Sequence, residues 1–347
     1  LLFLGFTIVG FSQTTAIPDP NFEQALIDLG YDTAPINGSV PTATISGVIS
    51  LDVRFKGIVS LTGIEDFTAL TELICKQNQL TSLDVSANTG LTDLNFSNNL
   101  LTSIDVSTNI SLTGLQCNNN QLTNLDVTNN IALTNLDCVG NQFTSLDVSN
   151  NTALTYLNFT NNQLTSIDLS NNTALTTFGC KNNQLIVLDL SNNTSLEYLY
   201  CSNNQLTTLD LSNNTALTYF RCSNNQLTTL YLSNNTALDG LRCFNNQLTS
   251  LDLRNGNNEN INEFRAEDNP NLSCIFVDDA AYSTANWTNI DSNSTFVETE
   301  AECAPSCFIN DGNIQAAVNL WISDPTAAEA TYGNISNWDT SCVTNMY

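Results

Sequence analysis

Aspartate recurs at one place in a repeat of 21 residues, and such a row of carboxylates could hold metal ions. The residues are Asp84, Asp105, Asp126, Asp147, Asp168, Asp189, Asp210 and Asp252, with Tyr231 interrupting the series. If successive repeats stack, neighbouring carboxylates lie about 4.8 Å apart, and Ca²⁺, which prefers carboxylate oxygens, could bridge them. The alternative is a solvated acidic stripe whose carboxylates accept hydrogen bonds from turn amides. We expect no cofactor and no metal site, and calcium bridging is the alternative that the row of aspartates leaves open.

Cysteine recurs at the sixth position of the same repeat. The seven residues are Cys75, Cys117, Cys138, Cys180, Cys201, Cys222 and Cys243, and Phe96, Phe159 and Ala266 replace them in other copies. This interchange indicates a buried apolar position, where free cysteine packs well. Stacked thiols form a line and not the tetrahedron of a zinc site, and their parallel Cβ vectors fit a disulfide badly. We therefore expect buried free thiols and no metal site among them.

The other four cysteines, Cys274, Cys303, Cys307 and Cys342, lie outside the repeats. We expect Cys274 and Cys303 to form a disulfide in the segment that follows the last repeat. The pairing of Cys307 and Cys342 stays open.

Histidine is absent from the 347 residues. Its absence excludes a Ser-His-Asp triad, a Cys-His pair and every zinc site that contains histidine. Carboxylate pairs occur throughout the repeats and single out no pocket. The sequence therefore predicts that this chain is not an enzyme and has no catalytic residues.

The balance of charge is strongly acidic, with 34 Asp and Glu against 8 Lys and Arg and a net charge of −26. Nucleic-acid binding requires clustered cations at the phosphate backbone, so we expect no nucleic-acid partner. Residues 1–13 are predicted to be a truncated secretory signal peptide, because an apolar run too short to span a bilayer is followed by small and polar residues. No other stretch approaches the roughly 20 apolar residues of a membrane span. We expect a secreted or cell-surface protein without a transmembrane segment.

The repeat itself is regular over most of the chain. Leucine opens each unit, at Leu70, Leu91, Leu112, Leu133, Leu154, Leu175, Leu196, Leu217 and Leu238, and a partial tenth copy opens at Ile261. Such self-similarity indicates a solenoid, in which each coil buries its apolar edge against the next. Leucines at unit positions 1, 4, 11 and 14 and the residue at position 6 are predicted to face inward. Asparagines at positions 9 and 19 are predicted to satisfy backbone groups where the coil turns.

One unit, LTYLNFTNNQLTSIDLSNNTA (residues 154–174), resembles the leucine-rich repeat, L-x-x-L-x-L-x-x-N-x-L. Each unit also contains two related halves, of the form LxCxxNQL and LDLSNNTA, which is similar to the nested-periodicity subclass of bacterial leucine-rich repeats. The resemblance covers residues 48–272. It implies a leucine-rich repeat solenoid, a curved, β-rich, right-handed coil with a parallel sheet on its concave side and extended or short-strand segments opposite.

The flanking segments are expected to cap the ends of this solenoid, since exposed ends need caps. Residues 14–47 are predicted to form an N-terminal cap with a short helix, because Asp19 suits an N-cap, Pro20 a first turn and Gly30 a helix end. Residues 273–303 are predicted to form an irregular C-terminal cap.

Residues 304–347 differ in character from the repeats. Residues 313–322 have helical apolar spacing, and the following ATYGNISNWDTSCVTNMY resembles the opening of a surface-protein repeat found beside leucine-rich repeats in bacterial adhesin-like proteins. The matching residues are Gly333, Ile335, Trp338, Asp339, Ser341, Val343 and Met346, whereas Thr340 and Cys342 depart from the pattern. We expect this segment to be the start of a truncated domain of that kind.

Unit positions 3, 5 and 7 alternate with the buried leucines of the strand and vary between coils, so they are expected to face solvent on the concave side. Five of the eight basic residues and four tyrosines lie there, with lysine at Lys76 and Lys181. The predicted ligand-binding residues are Tyr156, Tyr198, Tyr200, Tyr219, Arg221, Arg242, Phe244 and Arg265. Tyrosine and arginine dominate binding hot spots, which favours a site for an acidic or sugar-bearing ligand. Alternatively, these residues merely suit exposed strands, and arginine offsets the acidic field.

Together these features predict a non-catalytic, monomeric, adhesin-like binding module that recognises a protein or a glycan on its concave face. Two other interpretations remain. The solenoid could be an acidic spacer within a larger surface protein, or the targeting arm of an exported enzyme whose catalytic part lies outside this sequence.

Overall fold

The computed structural model describes residues 13–303, 309, 311–338 and 343, and within them the 21-residue units stack into a parallel-sheet solenoid. The predicted signal peptide lies outside this part of the chain, apart from its last residue. Cys307 and Cys342 lie outside it as well, so nothing follows here about their pairing. None of the helices in the described ranges is long and apolar enough to cross a membrane.

The N-terminal segment folds over the open end of the solenoid. Strand β1 (Thr14–Ala16) pairs antiparallel with β2 (Ser39–Pro41), with helix α1 (Pro20–Asp28) between them and α2 (Thr42–Ile45) after them. The prediction for α1 is confirmed, since Asp19 is its N-cap and proline occupies its first turn.

Asp19 connects this helix to the first coil. Its Oδ1 accepts hydrogen bonds from the backbone amides of Asn21 (2.8 Å) and Phe22 (3.2 Å), which have no partner within the helix. Its Oδ2 accepts from the amides of Val59 (2.7 Å) and Ser60 (2.8 Å) in the first coil. One carboxylate that is only 4 % exposed therefore holds the helix and the coil together.

Eleven parallel strands form the main sheet, one from each coil. They are β3 (Ser50–Asp52), β4 (Glu72–Ile74), β5 (Asp93–Asn95), β6 (Gly114–Gln116), β7 (Asn135–Asp137), β8 (Tyr156–Asn158), β9 (Thr177–Gly179), β10 (Tyr198–Tyr200), β11 (Tyr219–Arg221), β13 (Gly240–Arg242) and β15 (Glu263–Arg265). Residues at the same unit position are direct partners, as Leu199 and Phe220 are. The central residue of each strand is buried and its two neighbours point to solvent, so unit positions 3 and 5 form rows on the outer side of the sheet.

A second, smaller sheet forms on the other side of the coils near the C-terminal end. It contains β12 (Thr229–Tyr231), β14 (Ser250–Asp252), β16 (Cys274–Phe276) and β17 (Thr295–Val297), all parallel. In the earlier coils the corresponding residues belong to no strand or helix. This agrees with the prediction of extended or short-strand segments opposite the main sheet.

Two rows of buried asparagines hold the turns of the coils. At unit position 9, the Asn183 amide nitrogen donates to the carbonyl oxygens of Phe159 and Cys180 (both 3.1 Å), and its Oδ1 accepts from the Leu164 amide (3.0 Å). At position 19, the Asn172 amide nitrogen donates to the carbonyl of Val148 at 3.0 Å and to a second carbonyl one coil earlier. Asn183 thus satisfies backbone groups of two coils and Asn172 those of the coil before its own, which confirms the structural role predicted for both rows.

The seven cysteines at position 6 are buried, free thiols inside the solenoid. Removal from water disfavours the thiolate, and burial raises the pKa of the Cys75 and Cys201 thiols to about 12. At pH 8 only about one such thiol in ten thousand is ionised. These cysteines are therefore packing residues.

The buried thiols should make stability depend on pH. In the unfolded chain a thiol ionises near pH 8.5, so its burial stabilises the fold fully below that pH, and this contribution is lost as pH rises towards the native pKa. We expect the denaturation midpoint to fall steeply above pH 9, and Cys201→Val to reduce the fall by about 2 kcal/mol at pH 10. A pH profile unchanged by Cys201→Val would contradict this, as would rapid alkylation of the native thiols at pH 8.

The aspartates at position 15 form turns and do not converge on a metal position. Most of them accept a hydrogen bond from the backbone amide two residues later, as Asp84 does from Ser86 (2.9 Å). At Asp126, the Thr128 hydroxyl and amide hold the carboxyl pKa below its usual range. In the described ranges no group of three or more acidic, cysteine or histidine side chains is arranged to hold a metal ion. The contacts correspond to the solvated acidic stripe.

The segment after the last repeat contains more regular structure than an irregular cap. Strands β16 and β17 continue the second sheet, and α3 (Ala280–Asn286) and α4 (Glu300–Cys303) lie beside them. Trp287 stacks on Phe264 of the last main-sheet strand, with ring centroids 4.4 Å apart, and so covers the end of the core. Cys274 and Cys303 are joined by a disulfide, the pair that the sequence suggests.

Beyond this segment, α5 (Ile314–Ser323) forms where the sequence predicts a helix, and α6 (Pro325–Tyr332) follows it. Trp338, one of the residues that match the surface-protein repeat, donates from its indole nitrogen to the Gly333 carbonyl (3.0 Å) and lies edge-on to Trp321. Asp339, Ser341 and Met346 lie outside the described residues. The assignment of this segment to a surface-protein repeat stays a prediction.

Candidate ligand-binding site

The eight predicted binding residues lie on the outer side of the main sheet or directly after one of its strands. The strand register places Tyr198 beside Tyr219, Tyr200 beside Arg221, and Arg221 beside Arg242. This is the side that corresponds to the concave face of a leucine-rich repeat solenoid. The repeat period thus brings residues more than 60 positions apart in the chain onto one surface.

A cavity of about 380 Å³ opens on this surface between coils five and nine. Four predicted residues line it, namely Tyr200, Arg221, Arg242 and Phe244, whereas Tyr156, Tyr198, Tyr219 and Arg265 lie outside its lining. The remaining lining residues are Asn158, Thr160, Gly179, Lys181, Ser202, Asn203, Ser223 and Asn224. The centre of the cavity therefore lies closer to the N-terminus than the predicted cluster.

Gly179 forms the floor of this cavity. It is the partner of Asn158 on one neighbouring strand and of Tyr200 on the other. A Cβ atom at Gly179 would lie 2.5 Å from the Asn158 Oδ1, so a larger residue here would collide with the cavity wall or fill the space. The gap between the asparagine and the tyrosine exists because glycine occupies unit position 5 in this one coil.

Three polar side chains border the floor at unit position 7 of consecutive coils: Thr160, Lys181 and Ser202. Their hydroxyl and ammonium groups make no side-chain hydrogen bond or ion pair with any other residue that the structure describes. By strand spacing the row is about 10 Å long. These groups are free to bind a ligand.

The arginines of the predicted site are already paired with carboxylates. Glu263 forms ion pairs with Arg221 (3.3 Å) and, at a shorter distance, with Arg242. Arg265 forms an ion pair with Glu267. Burial opposes ionisation of Glu263, but the hydrogen bonds and charges of the two arginines outweigh it and hold the pKa of its carboxyl below the usual value. The arginines do not stand as free partners for a ligand carboxylate.

Tyr198 and Tyr219 are stacked on each other, with ring centroids 5.6 Å apart and planes 6° apart. The Tyr219 hydroxyl donates to the Asp239 carboxylate (2.5 Å). The Arg221 guanidinium lies 5.5 Å from the centre of the Tyr200 ring. Together these contacts make a rigid aromatic wall beside the cavity.

The two other aromatic residues of the predicted set also have partners. Arg265 lies over the Phe244 ring at 4.5 Å, and Asn158 donates to the Tyr156 hydroxyl (3.1 Å).

Sequence reasoning placed Gly179 and Lys181 on the correct face but not among the binding residues. A weak signal was present, because glycine at unit position 5 interrupts a series of larger residues in its neighbouring coils, Asn158, Tyr200 and Arg221. Nothing in the sequence shows which cations are neutralised. The site is thus a glycine-floored cavity with a free lysine, flanked by paired arginines.

No family model matches the chain. A stretch of 72 residues is 43 % identical to Internalin J of Listeria monocytogenes serotype 4b (strain F2365), which is 21 % of this chain and 8 % of the length of that protein.

Among solved structures, the chain is similar to a functional domain of InlJ from Listeria monocytogenes that includes a cysteine ladder, with a TM-score of 0.63 and 34 % identity. That match covers 76 % of this chain and 66 % of the InlJ domain. An internalin C2 from the same species matches with a TM-score of 0.50 and 26 % identity, over 60 % of this chain and 96 % of the other.

The chain spans less than two thirds of the length of Internalin J and of the InlJ domain that it matches. The repeat period, the parallel sheet with one strand per coil and the row of buried cysteines agree with the same comparison. The chain is therefore a leucine-rich repeat solenoid, similar to those of the internalins.

Proposed function

We propose that this chain is a secreted or cell-surface recognition module that binds a protein or glycan through the outer side of its main sheet. The site lies between coils five and nine. The observation that carries the proposal is the glycine-floored cavity, which is bordered by three polar side chains without partners and by the Tyr200 ring, over which Arg221 lies. Clefts of this size with a few converging polar groups are typical of ligand sites.

The distribution of charge supports recognition over a spacer function. A protein with a net charge of −26 carries only eight basic residues, and Lys181, Arg221 and Arg242 line one cavity. The function of a rigid spacer does not require its few basic residues to cluster at one place. The similarity to internalins supports the same choice.

A binding experiment with matched variants tests the proposal. The purified chain is applied to a panel of glycans and extracellular proteins beside a variant with Tyr198→Ala, Tyr200→Ala, Arg221→Ala and Arg242→Ala. We expect the variant to lose at least a hundredfold in affinity, because residues of these types each contribute about 2 kcal/mol or more at a hot spot.

A second quadruple variant is the control, with Glu72→Ala, Asn95→Ala, Gln116→Ala and Asn135→Ala. These residues occupy the same unit positions of the same sheet in coils one to four, so the control removes a similar amount of surface from a region without the cavity. Circular dichroism verifies that both variants are folded. Equal binding by all three proteins would rule out the proposed site and would favour the spacer.

A further inference from the structure

We propose that the cavity above Gly179 binds a sugar ring that carries a carboxylate. This inference rests on the proposed function and specifies its ligand. In this arrangement the pyranose ring lies in the gap between Asn158 and Tyr200, its carboxylate meets the Lys181 ammonium, and its hydroxyl groups bond to Thr160 and Ser202.

The charges of the cavity favour an anion. Lys181, Arg221 and Arg242 line it, and Glu263 is the carboxylate that pairs with the two arginines. Three cations therefore face one anion, and Lys181 has no ion-pair partner in the described part of the chain. A single ligand carboxylate would gain a charge-assisted hydrogen bond. An extended polyanion would be repelled by the acidic remainder of the protein.

The chemistry of the lining favours a sugar over a protein side chain. Six of the residues that line the cavity have short hydroxyl or amide side chains, and no Ala, Val, Leu or Ile is part of the lining. Protein hot spots are dominated by large aromatic and arginine side chains in well-packed pockets, whereas half of the residues that line this cavity are short and polar. Hydroxyl and amide groups can both donate and accept hydrogen bonds, which suits the many hydroxyls of a carbohydrate.

The shape of the cavity fits a ring. Gly179 is buried, so its backbone forms a flat floor one residue wide between two taller side chains. The Tyr200 ring forms one wall, and Arg221 lies over it on the neighbouring strand, away from the glycine. Aromatic faces next to polar groups give a pyranose both an apolar surface and hydrogen-bond partners.

Titration calorimetry with defined oligosaccharides tests the inference. The probes are 3′-sialyllactose with lactose as its neutral partner, and galacturonic acid trisaccharide with galactotriose as its neutral partner. We expect at least one acidic probe to bind, and both neutral probes to bind at least tenfold more weakly. The two pairs show whether the carboxylate belongs to a uronic or a sialic acid.

Two variants locate the bound probe. The Lys181 side chain is exposed, so Lys181→Gln should fold normally. We expect this variant to bind the acidic probe about tenfold more weakly, which corresponds to the loss of one charge-assisted hydrogen bond. Lys76→Gln is the matched control, because Lys76 has the same unit position in the unit that opens at Leu70, and its substitution should not affect binding. Gly179→Val places a side chain in the cavity and should abolish binding.

Three results would overturn the inference: no binding of either acidic probe at millimolar concentration, equal binding of acidic and neutral probes, or unchanged affinity in Lys181→Gln. The proposed function fails separately. Suppose that a protein of the panel binds the native chain but not the quadruple variant with the Tyr and Arg substitutions, while neither acidic sugar binds. The sheet is then a recognition surface, and the sugar assignment is wrong.

Discussion

Replacing Asn183 by alanine is expected to lower the free energy of unfolding by about 4 kcal/mol. The substitution removes two donors to the carbonyls of Phe159 and Cys180 and the acceptor for the Leu164 amide. These groups are buried, and each one left without a partner costs about 1–3 kcal/mol. Because each coil of a solenoid is stabilised by its neighbours, losing these hydrogen bonds in a central coil should destabilise the whole solenoid and shift its unfolding transition.

Asn192→Ala is the control for this prediction. Asn192 belongs to the same coil as Asn183, but its side chain is exposed and makes one hydrogen bond, to the Ser170 carbonyl (3.2 Å). We expect a change below about 0.5 kcal/mol. Urea denaturation followed by circular dichroism measures both variants. Similar midpoints for the two would show that the buried asparagine row contributes no more than a surface amide.

Replacing Asp19 by alanine should detach the N-terminal helix from the first coil. Four backbone amides lose their acceptor, two at the start of the helix and two at Val59 and Ser60. The loss of a helix N-cap alone costs about 1 kcal/mol, and unpaired amides in the coil add to it. We expect the free energy of unfolding of the cap to fall by about 3–4 kcal/mol, with faster amide hydrogen exchange at Phe22 and Leu26.

Asp28→Ala tests whether this effect is specific to Asp19. Asp28 ends the same helix and forms an exposed ion pair with Lys56 (2.9 Å), a kind of contact that contributes about 0–1 kcal/mol. Its substitution should leave hydrogen exchange in the cap unchanged. If Asp19→Ala and Asp28→Ala give the same exchange rates, the cap is held by its apolar contacts and not by the carboxylate.

The sequence predicts the solenoid well because its signals repeat. Each coil places the same residue types in the same surroundings, so one unit such as residues 154–174 reveals the strand, the buried sixth position and both asparagine rows. The helix after Asp19 follows from local rules for helix ends, which depend on neighbours in the chain.

The candidate site was harder to predict because it depends on contacts between coils. Glu263 reaches Arg221, 42 residues earlier, across the strand that contains Gly240. A Cβ atom at Gly240 would lie 2.6 Å from the Tyr219 ring. A pattern read one position at a time cannot show that this carboxylate neutralises two arginines. Such a pattern therefore does not reveal that Arg221 and Arg242 are paired with Glu263.

Lysine footprinting tests the central claim most directly. The chain has three lysines, and they report on separate places: Lys56 and Lys76 near the N-terminal end, and Lys181 at the cavity. The native protein is acetylated with and without a ligand retained from the binding panel, and each site is measured by mass spectrometry. We expect the ligand to protect Lys181 and to leave Lys56 and Lys76 unchanged. Protection of Lys76, or of no lysine at saturating ligand, would contradict recognition at the glycine-floored cavity.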